Sequence, residues 1–301
     1  MEVEDSSGTV ISFPFHQHKV DALFYHSETK REHVEQMPAI LRLHGILGNL
    51  LDESEHYLPA FLASAGYSSL TMNTLLANLG LFFGYGIFDD ALKQIDAGCE
   101  FLRQVGFNKI VIAGHGLGGC MAIRYGALAK DSAKHSDIMG IIAIATPYSM
   151  PDTVRRRSER FGSEPSYEEI YRRAQRLFQP TSEDQSAQDE IVVVKRAHGR
   201  TNRPEHTDIY TLKTWWALAG PEAWGAESYR HVGQIGHPLL LVHGSQDEVI
   251  ECAEFEELCR LAAMSGNRKV TAVQIDANHN FEGKHEELSQ FVINWLAEIA
   301  D

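Results

Sequence analysis

The sequence predicts an α/β protein: a mostly parallel sheet covered by helices on both faces, with a lid inserted between the sixth and seventh strands. Three observations carry this. Short apolar runs alternate with amphipathic helical stretches at both ends of the 301-residue chain, and glycine or proline punctuates them. The runs are apolar throughout rather than alternating, as expected of strands buried on both sides. The middle, residues 148–230, shifts to Arg, Glu, Gln and aromatic residues. The chain therefore divides into a core of residues 1–147 and 231–301 and a cap of residues 148–230.

Element by element, TVISFPF (9–15) and KVDALFYHS (19–27) read as an antiparallel edge. AILRLHG (39–45) is a buried strand ending in glycine. DESEHYLPAFLASAGY (52–67) opens with carboxylates, which favour a helix N-terminus, and stops at Ala-Gly. SSLTMNT (68–74) is a strand and DDALKQIDAGCEFLRQVG (89–106) a helix. KIVIAG (109–114) leads into the helix GGCMAIRYGALAKDS (118–132), and IMGIIAIATP (138–147) is a strand ended by proline. In the middle, SYEEIYRRAQRLFQP (166–180) has a helical pattern, VVVKRA (192–197) is a short strand and TLKTWWALAGPEAW (211–224) an aromatic piece. The strands HPLLLVHG (237–244) and KVTAVQID (269–276) flank the helix ECAEFEELCRLAAMSG (251–266), and HEELSQFVINWLAEIA (285–300) closes the chain as an amphipathic helix.

Composition excludes several classes. A formal net charge of −14 argues against a nucleic-acid partner, which needs a basic face. The run Arg155, Arg156, Arg157 reads as a solvated helix face or as ion-pair partners. Cys99, Cys120, Cys252 and Cys259 fall within helices without metal-ligand spacing, as reduced thiols of a cytoplasmic protein do. MEVEDSSG has no apolar stretch of a signal peptide, and residues 76–88 are too short and glycine-broken to span a bilayer. No membrane span is expected.

Open parallel sheets bind ligands at the carboxyl ends of their strands. After AILRL stand His44, Gly45, Ile46, Leu47, Gly48 and Asn49; after KIVIA stands GHGLGG (114–119). HPLLLV is followed by HGSQDEVI with Asp247, and KVTAVQI by DANHNFEG with His279. With these four in this order, the chain resembles the α/β-hydrolase-fold superfamily, and within it the serine esterase, lipase and acyl-aminopeptidase-like branch, over nearly its whole length. The resemblance implies that Asp247 orients a histidine, that His279 is the general base, and that the backbone N–H groups of Ile46 and Leu117 form the oxyanion hole. It also makes position 116 the nucleophile slot of a strand-to-helix elbow. There the pattern breaks, because Gly116 has no side chain.

GHGLGG also fits G-x-G-x-x-G through Gly114, Gly116 and Gly119. A dinucleotide site wants that string after the first strand, with an acidic residue about twenty positions on. Here it follows at least four strand candidates and the next strand ends without an acid. Cys120 lies a helical turn past the slot and reads as a buried, inert thiol; Ser245 follows a different strand. Around the slot, His44, His115, Phe82, Phe83, Tyr148, Trp215 and Trp216 are the candidate substrate contacts. His44 and His115 also suit packing, and with His279 they find no further ligand at helical spacing, so neither metal nor cofactor is expected.

Three functions fit. The chain is a carboxylic-ester or thioester hydrolase whose serine has been replaced by glycine, by engineering or by natural loss. Or it is a natural non-hydrolytic enzyme of lyase, cyclase or cofactor-free oxygenase type, with the His–Asp pair as base. Or it binds a ligand without turning it over. In each, the partner is a small-molecule ester, thioester or similar acyl compound.

Overall fold

The computed structural model describes residues 8–27, 37–78, 84–130, 135–178, 190–197 and 204–300. Phe82 and Phe83 lie outside the described residues. In chain order, the first half contains β1 (Thr9–Phe15), β2 (His18–Tyr25), β3 (Ala39–Leu43), α1 (Glu53–Ser64), β4 (Ser69–Met72), α2 (Phe88–Gln104), β5 (Ile110–His115), α3 (Leu117–Ala129) and β6 (Ile138–Ile144). The middle contains α4 (Met150–Phe161), β7 (Ser163–Glu164), α5 (Tyr167–Leu177), β8 (Ile191–Ala197), β9 (Pro204–Thr211) and α6 (Leu212–Ala219). The chain ends with β10 (Leu239–Gly244), α7 (Cys252–Met264), β11 (Val270–Ile275) and α8 (His285–Ala300).

Eight strands form one sheet in the order β1-β2-β4-β3-β5-β6-β10-β11. The β1–β2 and β2–β4 pairs are antiparallel and the other five are parallel. Successive strand residues point to opposite faces, and both faces are apolar. Leu41, Ile112, Ile141 and Leu241 pack in one core with α2 and α3. Ile40, Val111, Ile142 and Leu240 pack in the other with α1 and α8. Burying a side chain of this size is worth about 1.5–3 kcal/mol, so these alternating pairs fix the register of the central strands.

The middle segment builds its own antiparallel sheet, β7-β8-β9, beside α4, α5 and α6. Met150, Ile170, Val194 and Trp215 join the core on the α2–α3 face. Its helices are started by hydroxyl caps. Ser149 accepts from Asp152 N–H at 3.4 Å ahead of α4. Ser166 and Glu169 form a reciprocal capping box on α5.

Candidate active site

Between β5 and α3 the chain reverses direction at Gly116, whose φ of 55° and ψ of −118° lie where L side chains are strained. Its neighbours are glycines for a different reason. A Cβ at Gly114 would sit 2.0 Å from the Gly118 carbonyl oxygen, one at Gly118 would sit 2.1 Å from the Leu43 oxygen, and one at Gly119 would sit 1.9 Å from Thr146 Oγ1. Strand, turn and helix approach too closely there for any side chain. At Gly116 the space is open: a Cβ would meet Gly45 Cα and His279 Nε2, each at 3.8 Å, an ordinary contact.

These distances give a paired expectation. Gly118→Ala sets a methyl against immovable backbone and should cost about 3 kcal/mol or more, whereas Gly116→Ala meets only backbone strain of about 1–3 kcal/mol. Urea unfolding of the two variants measures the difference; equal losses would contradict it.

His279 and Asp247 come from loops after adjacent parallel strands, β11 and β10. The loops are tied by backbone bonds, Ser245 N–H to the Ile275 oxygen at 2.7 Å and Gln246 N–H to the Ala277 oxygen at 2.9 Å. Gly244 permits this approach, since a Cβ there would lie 2.4 Å from the Ala277 oxygen. The result is a hydrogen bond of 2.9 Å from His279 Nδ1 to Asp247 Oδ2. The other carboxylate oxygen of Asp247 accepts from Val249 N–H at 2.7 Å and Ile250 N–H at 2.9 Å. Burial pushes the Asp247 carboxyl up, but the His279 bond, the imidazole charge and the two backbone donors outweigh it and hold its pKa below the usual aspartate value. With Nδ1 committed to Asp247, His279 Nε2 faces the open space at Gly116.

A cavity of about 490 Å³ opens over this point, walled by the strand-end loops on one side and by α4, α5, β8, β9 and α6 on the other. Ile46, His115, Gly116, Leu117 and His279 line it from the core, and Trp215 lines it from α6. Among the described residues, the N–H groups of Ile46 and Leu117 have no acceptor. His115 donates from Nε2 to the His279 carbonyl oxygen at 2.9 Å, and so supports the loop as well as lining the cavity.

Three candidate contacts lie elsewhere. His44 is fully buried; its Nδ1 donates to the Gly45 oxygen at 2.8 Å and its Nε2 accepts from Thr74 N–H at 3.1 Å, so it braces the turn from below. Tyr148 stacks on Tyr229 with ring centroids 4.7 Å apart. Trp216 stacks on Phe178 at 5.3 Å, on the side of α6 away from its neighbour Trp215. None of the three is on the cavity wall. Cys120 is a buried residue of α3 itself, and burial pushes its thiol up to about 12. The residue that sequence reasoning passed over is Arg157, which lies on the wall with Thr153.

The buried imidazoles make stability acid-sensitive. Burial, reinforced by the adjacent His279, pulls His115 down to about 3, and burial likewise lowers His44 and His243. All three are neutral when folded near neutral pH, but in the unfolded chain they take up protons below about pH 6.5. Below that value the unfolded state binds more protons, so stability falls as pH falls; His115, with its folded pKa near 3, contributes a slope approaching about 1.4 kcal/mol per pH unit, and His44 and His243 act in the same direction. The loss continues toward the folded pKa of His115. Urea midpoints should drop steadily from pH 7 to pH 5; an unchanged midpoint would refute this.

No protein-family model matches the sequence. Solved structures do. A soluble variant of monoglyceride lipase from Saccharomyces cerevisiae, in complex with a substrate analog, superposes with a TM-score of 0.69 at 14% identity, over 99% of this chain and 98% of that one. Est1E from Butyrivibrio proteoclasticus gives 0.68 at 15%, over 97% and 99%. The Pyrococcus furiosus esterase Pf2001 gives 0.67 at 16%, over 97% and 91%. At such identities the likeness concerns the fold, and the fold is that of the α/β-hydrolases.

Proposed function

We propose that this chain is of carboxylic-ester or thioester hydrolase descent, with acid–base pair and oxyanion donors kept and the nucleophile position occupied by Gly116. The observation that carries the reading is the 3.8 Å between a Cβ at position 116 and His279 Nε2. A serine hydroxyl, one bond farther out, would fall within hydrogen-bonding reach of a base already held by Asp247.

On this reading an acyl substrate lies under residues 148–230, which act as the cap on a core of residues 1–147 and 231–301. Its carbonyl oxygen is turned toward the N–H groups of Ile46 and Leu117, and Trp215 covers its apolar part. No acyl-enzyme forms. What remains is positioning and oxyanion stabilisation, which in related apparatus leaves roughly 10³–10⁴ over the uncatalysed rate. The test is Gly116→Ser: ester turnover and a single label from phenylmethylsulfonyl fluoride at residue 116 support the reading, and a folded variant with neither overturns it.

The intact pair of Asp247 and His279 favours a second reading, in which His279 takes a proton from the substrate itself in lyase, cyclase or oxygenase-type chemistry. A protein that only binds has no use for that pair. His279→Ala separates these cases, abolishing turnover in the enzyme and leaving ligand affinity intact in the binder.

A further inference from the structure

We infer that the cavity takes an acyl substrate bearing a single carboxylate, received by Thr153 and Arg157 on the inner face of α4; this rests on the ester-binding reading above. The two residues are four apart, so they share one face of the helix, and both line the cavity. Thr153 is 3% exposed and its Oγ1 has no hydrogen-bond partner. Arg157 Nε is buried and equally unpartnered, and among the described residues the guanidinium makes no ion pair.

Its neighbours along the chain are spoken for. Arg155 pairs with Asp152 at 2.8 Å and Arg156 with Glu254 at 2.7 Å. Across the cavity, Asp208 is already engaged through both oxygens by Arg196, and the Tyr210 hydroxyl bonds the same carboxylate at 3.5 Å. Asp208 and, more weakly, Glu248 attract Arg157 from beyond ion-pair range, and Glu248 lies within 3.4 Å of His279 N–H. Besides Asp208, the acids on the wall are engaged as well, Asp52 by Asn49 at 2.9 Å and Glu282 by Asn278 at 2.9 Å. One guanidinium is therefore left facing the cavity beside a free buried hydroxyl. Burial and the charge of Arg196 pull Arg157 down to about 10, so a bound anion relieves a strained cation.

A planar guanidinium matches a carboxylate or a phosphate in two-pronged fashion. One guanidinium without an ion pair among the described residues, and already weakly attracted by Asp208 and Glu248, suits a monoanion. The second charge of a phosphate would face Asp208 and Glu248. The geometry thus points to half-esters or half-thioesters of dicarboxylic acids.

The test uses the chain as it stands. Monoethyl and diethyl esters of linear dicarboxylic acids of six to ten carbons are titrated by calorimetry and by tryptophan fluorescence, to which the cavity-lining Trp215 contributes. The half-ester should bind at least about tenfold more tightly than its diester, as a charge-assisted hydrogen bond implies. Arg157→Gln should bring that ratio close to one, Arg157→Lys should keep part of it, and Thr153→Val should lower it; circular dichroism verifies folding of each. Equal affinities, or a preference that survives Arg157→Gln, would overturn the inference, and tighter binding of the matched monoalkyl phosphate would overturn the carboxylate assignment. Diesters that bind, and are cleaved by the Gly116→Ser variant, with no charge preference leave the ester reading standing and the acidic subsite refuted. Conversely, if no ester binds and Gly116→Ser is inert, while a free alkanoate still binds through Arg157, the subsite stands and the ester reading falls.

Discussion

Gly116→Ser should convert this chain into an ester hydrolase, with turnover toward short- and medium-chain esters rising by several orders of magnitude. The new Cβ enters free space 3.8 Å from His279 Nε2 and 3.8 Å from Gly45 Cα, so nothing has to move to admit it. The backbone there is already bent to φ 55°. Serine in that conformation costs about 1–3 kcal/mol, partly offset by the roughly 0.5–1 kcal/mol of unfolded-state entropy that glycine carries. A modest stability loss is therefore expected alongside the gain in rate. On the proposed reading the hydroxyl proton should pass to His279, and the oxyanion should meet the N–H groups of Ile46 and Leu117. His115, with a pKa near 3, stays neutral and places no second positive charge beside the imidazolium that forms. In comparable triads the serine alone is worth on the order of 10⁶ in turnover. Initial rates on nitrophenyl butyrate, with mass spectrometry of the sulfonylated protein, measure the outcome. A folded variant without rate or label shows that the pair is not poised for acyl transfer.

How much of this was legible depends on what shaped each element. β3, β5, β6 and β10 are apolar on both sides because both sides are covered, and that pattern was readable. The order of the HG turn, the elbow, Asp247 and His279 was readable too. Their convergence was not, since it rests on Gly244 letting the two loops touch and on Gly118 lying against the Leu43 oxygen. The middle segment resisted reading for another reason. In α4 only Met150 and Thr153 are buried, so no apolar stripe announces the helix. Its three consecutive arginines, stepped by a helical turn's fraction each, face solvent, α7 and the cavity in turn. A hydroxyl cap at Ser149 and the four-residue spacing of Thr153 and Arg157 were the available signals. Trp215 and Trp216 make the same point: adjacent in sequence, they diverge because α6 is a helix, one toward the cavity and the other toward Phe178.

In the Gly116→Ser background, Asp247→Asn should then lower kcat by about 10⁴ while leaving the fold intact. The orientation of the new amide is dictated by its surroundings. The N–H groups of Val249 and Ile250 both point at Oδ1 from 2.7 and 2.9 Å, so the asparagine oxygen must face them. Its NH₂ is then forced toward His279 Nδ1, where Asp247 now accepts a hydrogen bond at 2.9 Å. Two donors cannot share that contact, so the imidazole shifts its proton to Nε2 and presents a donor, not a base, to the serine. The hydrogen-bond count is preserved, and urea unfolding near neutral pH should change little. The same substitution in the unmodified chain should leave its low background rate nearly untouched, because residues that act as a unit have no separate effect once one is missing. That non-additivity is the decisive readout. An Asp247→Asn variant that keeps a tenth or more of the reconstituted rate, or lowers both backgrounds by equal factors, would remove Asp247 from the proposed relay.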